Sequence, residues 1–226
     1  MYLASKIHKE LNIHFPPEEM IGREVPFEEI TKRLNKILRP MGAIIRTRRD
    51  TSLKNKTNRV HYVFSGYYDT EKTKNAIVMT IHRPLRRKKF KFTKRNYQEF
   101  IFLFSQITQH EFIHESQFAF RPEQAERKVR VYHSDKISKE RLNQIEYLRE
   151  WCEIEAYAHD IAMEIKQYYG EKNPSTILKN IDCFSKLPSY IIYKRTFKGT
   201  DWERLKKSLL IKVWRWIPSA QVPNII

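Results

Sequence analysis

From residue 26 onward the apolar positions recur every three or four places, with Phe27, Ile30, Leu34 and Ile37 on one face between Pro26 and Gly42. That spacing predicts an amphipathic helix over residues 26 to 39, with proline at its start and glycine beyond its end. A shorter helix is expected over residues 3 to 12. The pattern then changes to runs rich in β-branched and aromatic residues: "AIIRTRR" (43 to 49), "RVHYVFSGYY" (59 to 68) and "AIVMTIH" (76 to 82). Separated by polar turns, they predict three strands in one small, mostly antiparallel sheet. Helical spacing returns over 94 to 119, where Leu103, Ile107, His110, His114 and Phe118 share a face. A second long helix is expected over 137 to 169, with Ser134 or Ser138 as N-cap and Gly170 as its stop. Further helices are expected near 175 to 183 and 200 to 216, before a tail closed by Pro218 and Pro223. The fold class is therefore α+β, with one domain over residues 1 to 170 and a helical extension over 171 to 226 packed on it.

Composition adds limits. At 226 residues and 41% hydrophobic, the chain can bury a core without a metal or disulfide framework. Cys152 and Cys183 have no CxxC partner and are expected to be core thiols. No apolar run approaches the ~20 residues that span a bilayer, and "MYLASKIHKELN" lacks a signal-peptide core, so a cytoplasmic location is expected.

The 43 Lys+Arg against 26 Asp+Glu give a net charge of +17, which attracts nucleic acid, anionic membrane or acidic protein without selecting among them. Eight of the thirteen residues 83 to 95, "RPLRRKKFKFTKR", are basic. Arg86, Arg87, Lys88 and Lys89 are the candidates there for binding an anionic partner. Phe90 and Phe92 interleave them, either as a base-stacking surface or as an edge strand protected by lysine. Arg46, Arg48, Arg49, Lys54, Lys56 and Arg59 form a second basic group. Over 202 to 216, Lys206, Lys207, Lys212 and Arg215 lie opposite Trp202, Leu205, Leu209 and Trp216, a face expected to dock on the domain rather than on a membrane.

The candidate chemistry lies in "ITQHEFIHESQ", residues 107 to 117. On a helix, His110 and His114 stand one turn apart and can present imidazole nitrogens to one ion about 2.0–2.1 Å away. Glu111 lies to the side, placed to take a proton from a water that the ion activates. A catalytic zinc takes three protein ligands and keeps one open position, and "EWCEIEAYAHD" (150 to 160) offers a carboxylate. Glu155 is preferred to Glu153 because Ala158 and Ala162 follow on its face and permit close approach, whereas Glu153 points about 200° round the helix.

"HEFIH", followed some forty residues later by "EIEAYA", resembles the gluzincin class of zinc metallopeptidases, of which thermolysin is a member. The resemblance covers residues 26 to 169. It implies a zincin-like fold, one zinc ion held by His110, His114 and Glu155, Glu111 as general base, and a protein or peptide substrate. It further implies that a strand beside the motif helix, "AIVMTIH" being the candidate, pairs with the extended substrate. Where that class has an aspartate after its third ligand this chain has His159, a candidate for orienting a ligand, for a fourth ligand, or for a packed histidine. Tyr157, Tyr190 and Tyr193 are the candidates for a transition-state donor. A weaker resemblance, to SprT-like proteases that act on DNA-bound protein, would make His133 the third ligand instead. A basic nucleic-acid-binding protein with a structural zinc is the competing class.

Overall fold

The computed structural model describes residues 2–51, 53, 62–69, 76–120, 144–170 and 173–223, and the fold is α+β. The chain divides into two compact units, Tyr2–Glu115 and Ser116–Val222, and the division falls within one helix.

The first unit begins with α1 (Tyr2–His14), the single turn α2 (Pro17–Met20), the short strand β1 (Glu24–Pro26) and α3 (Phe27–Leu38). Phe27, Ile30, Leu34 and Ile37 are buried, so the helical spacing marks the face that seeks the core. Gly42, at φ +79°, turns the chain out of a short 3-10 segment into β2 (Ala43–Asp50). β3 (Val63–Tyr68), β4 (Ile77–Pro84) and β5 (Lys89–Lys91) follow, then α4 (Lys94–Phe120).

The three longer strands run in the order β2-β4-β3. β4 is antiparallel to β3, from Tyr68 opposite Ile77 to Val63 opposite His82, but parallel to β2, from Ala43 opposite Ile77 to Asp50 opposite Pro84. The sheet is thus mixed, not mostly antiparallel. β4 is its central strand, as suits its nearly unbroken apolar run. Both its edges are taken, so "AIVMTIH" has no free edge for a substrate strand.

β5 pairs with β1, setting Val25 opposite Phe90 between the pairs Glu24–Lys91 and Pro26–Lys89. Phe90 and Phe92 point into the core, with ring centroids 4.6 Å apart in an edge-to-face contact, and Phe100 packs against both. The phenylalanines of the basic stretch therefore serve the core, while Arg86 to Lys89, Lys91, Lys94 and Arg95 are exposed and Arg83 is buried. Thr108 of α4 meets Met79 of β4 at 3.7 Å, which lays the helix beneath the sheet.

In the second unit, residues 144 to 149 are helical, Glu150 is extended (φ −61°, ψ 136°), and α5 runs over Trp151–Tyr169. The expected long helix is thus interrupted at Glu150; Ser134 and Ser138 lie outside the described residues. α6 (Pro174–Lys179), α7 (Pro188–Thr196) and α8 (Gly199–Trp216) complete the unit. α8 packs on α5 and buries Trp202, Leu209 and Val213. Cys152 is buried, but Cys183 is exposed, contrary to the expectation of two core thiols. Among the described residues no helix is long and apolar enough to cross a membrane.

Candidate metal centre

α4 brings His110 and His114 together as the four-residue spacing requires. Their Nε2 atoms are 3.2 Å apart, the rings meet edge to face, and both side chains are buried. Glu111, between them in sequence, is 3% exposed. Its side chain lies against the backbone of β3, where a Cβ on Gly66 would come within 2.6 Å of Oε1 and 2.7 Å of Cγ. Only glycine leaves that space. One turn further, burial raises the pKa of Glu115; burial and then the Glu115 charge raise that of the Tyr68 hydroxyl, two places beyond Gly66. α4 thus presents two carboxylates to β3, an edge strand.

In the second unit, α5 divides its polar side chains between two settings. Glu155 is engaged at the junction with α8: the ammonium of Lys212 donates to Oε2, and Trp216 Nε1 donates to Oε1 at 2.8 Å. His159, one turn on, packs edge to face against Trp216, with centroids 5.0 Å apart. That is the packed-histidine alternative, and it belongs to the same junction.

Glu153, Asp160 and Glu164 are buried elsewhere on α5. Glu164 accepts from the backbone N–H (3.2 Å) and Oγ (2.7 Å) of Ser189, at the start of α7. The pKa of the Tyr193 hydroxyl is pushed well above the usual tyrosine range, first by burial and then by Tyr157, Glu153 and Asp160. These groups therefore surround one buried phenol. Of the other tyrosines, Tyr190 donates to Asp182 at 2.9 Å, and the Tyr157 ring meets that of Tyr193 edge to face. Ligand atoms of Glu150, Cys152 and Glu153 also gather within 4.8 Å of one another.

His133 lies outside the described residues. Arg86, Arg87, Lys88 and Lys89 are exposed, and Arg83 pins their turn by donating to the carbonyl of Arg87 at 2.7 Å. Sequence reasoning passed over Gly66 and set Glu153 aside. The signal for Glu153 was present in "EIEAYAHD", but the partner helix that engages Glu155 lies some sixty residues away. The chain matches no family model, no curated protein and no solved structure.

Proposed function

We propose that the chain is a zinc-dependent peptidase in which His110 and His114 of α4 hold one ion and Glu111 is the general base. The observation that carries this reading is the 3.2 Å between the two imidazole nitrogens. Two nitrogens each about 2.0–2.1 Å from a tetrahedral ion are about 3.3–3.4 Å apart, so the pair already has ligand spacing. Both oxygens of Glu155, the third ligand that the resemblance implies, accept from α8.

A zinc ion held this way would supply Lewis acidity, bringing the pKa of a water toward ~7 and polarising the scissile carbonyl. Glu111 takes the water's proton and delivers it to the leaving amine. An extended peptide adds to the edge of β3 that is unpaired among the described residues, where Gly66 lies beneath Glu111. Tyr193, kept protonated beside Glu153, is the candidate donor to the developing oxyanion.

Metal content tests the reading. Protein purified without chelator should carry about one zinc per chain, lost in His110→Ala and His114→Ala, and Glu153→Ala, Glu155→Ala and His133→Ala separate the three candidate third ligands. Loss in Glu155→Ala with retention in Glu153→Ala would restore the ligand set inferred from sequence. Loss in His133→Ala would favour the SprT-like set, and wild-type protein that stays metal-free in zinc at neutral pH would overturn all three.

A further inference from the structure

The outward face of the β2-β4-β3 sheet is assigned no role by the peptidase reading. Because side chains alternate along a strand, the register places Ile44, Arg46, Arg48 and Asp50 of β2 on one face with Val78, Thr80 and His82 of β4 and Val63, Ser65 and Tyr67 of β3. Two rows cross the sheet: Arg46–Thr80–Ser65 and Arg48–His82–Val63. Tyr67 and Val63 are 53% and 42% exposed, large values for an aromatic and a β-branched residue on a sheet. Arg46 and Arg48 are also exposed and have no ion-pair partner among the described residues.

Asp50 is turned to His82, with Oδ2 3.5 Å from Nδ1. His82 Nε2 in turn lies 2.7 Å from Ser65 Oγ. The imidazole is thereby held across the sheet. Beyond Pro84 the same central strand leads into the exposed cations Arg86 to Lys89.

We propose that this face binds single-stranded nucleic acid, with Arg46 and Arg48 on phosphates and Tyr67 as a platform for an unpaired base. Two arginines whose Cα atoms are ~6.7 Å apart along one strand, from a rise of about 3.3–3.4 Å per residue, suit a backbone laid along β2. A flat sheet with an outward aromatic stacks on bases only when they are unpaired. A lipid surface would be served by charge and apolar bulk, without a fixed cross-strand row. The zinc reading is not required, since Arg46, Arg48 and Tyr67 lie outside its ligands and base.

The test measures binding of labelled dT and U oligonucleotides of ~20 residues, and of a duplex of equal length, from ~50 to ~300 mM salt. Either single strand should bind better than the duplex. Replacing Arg46 and Arg48 together by alanine should flatten the log–log salt slope by about 1.4, at roughly 0.7 per phosphate contact. Tyr67→Ala should weaken binding about 5- to 150-fold with the slope unchanged. The exposed pair Arg204 and Lys207 on α8, replaced by alanine, should leave both quantities as in the wild type. Four results overturn the proposal: no binding at the lowest salt, duplex preferred, no effect of Tyr67→Ala, or an equal slope change from the α8 pair. Retention on phosphatidylserine vesicles without oligonucleotide binding would assign the face to membranes instead.

Discussion

Glu111 is where single atoms decide most. Glu111→Gln keeps the size of the side chain and removes its basicity, so zinc content should be unchanged and peptide hydrolysis lowered at least ~100-fold. Gly66→Ala tests the same carboxylate from the other side. The added methyl would occupy the place of Oε1 and Cγ, forcing Glu111 to move while both histidines stay. A displacement of about 1 Å at a reacting group can cost ~100-fold, so activity should fall by about 10- to 100-fold at constant metal content. Full activity in Gly66→Ala would show that the close approach has no bearing on the base. His8 offers a test of a different kind. Its Nε2 lies 2.8 Å from Ser105 Oγ, and burial lowers its pKa from 6.5 to about 4. The unfolded chain therefore binds more protons than the folded one between these values. The stability tied to neutral His8 is complete above pH 6.5 and is lost as pH falls toward 4. Urea unfolding at pH ~7, ~5.5 and ~4.5 should show a steeper decline for wild type than for His8→Gln, which does not titrate there. Parallel declines would dismiss the contribution.

Among the elements, α7 starts in an unusual way. Its N-cap, Leu187, has no side-chain acceptor, and Pro188 fills the first helical position, where no N–H is needed. The capping oxygen comes instead from Glu164 of α5, a buried carboxylate at the positive end of the helix dipole. Glu164→Ala should cost about 2 kcal/mol, because the cap is lost and buried donors are left without their acceptor. Glu203→Ala, on the exposed side of α8, should stay within about 0.5 kcal/mol. Equal costs in the two would remove Glu164 from the account of α7. α7 also shows what the chain conceals. "SYIIYKRT" has two adjacent isoleucines and no local cap, so nothing nearby announces a helix that a distant glutamate completes. Long amphipathic elements were legible: α1, α3, α4 and the core of α5 lie where their spacing puts them, as do the three longer strands. The three-residue strands β1 and β5 were not, being too short for a period. Of the candidate site, the histidine pair was legible because both groups lie on one helix, four residues apart. The engagement of Glu155 by α8 was not, since Lys212 and Trp216 lie some sixty residues along the chain.

For the molecule as a whole, a net charge of +17 does not mean that cations and anions simply coexist. In the second unit the carboxylates are largely used at home: Asp182 takes Lys194 and Lys206, which hold it well below the usual carboxylate range, and Asp201 takes Arg149. On the sheet and its following turn, Arg46, Arg48 and Arg86 to Lys89 are exposed. The mixed sheet also carries a consequence in time. Tyr68 meets Ile77 nine residues along the chain, whereas Ala43 must find the same residue across a much longer segment. Closing the longer loop costs more entropy before any contact rewards it, so β3 and β4 should join first and β2 arrive last. Conservative truncations within β3 and β4 should therefore slow folding, while truncations in β2, such as Ile45→Val, should chiefly speed unfolding. Folding rates lowered as much by β2 changes as by β4 changes would reverse that order. Until β2 docks, one side of β4 remains an open edge, and the nascent chain is exposed to pairing with its own copies at the very strand that the finished fold encloses most completely.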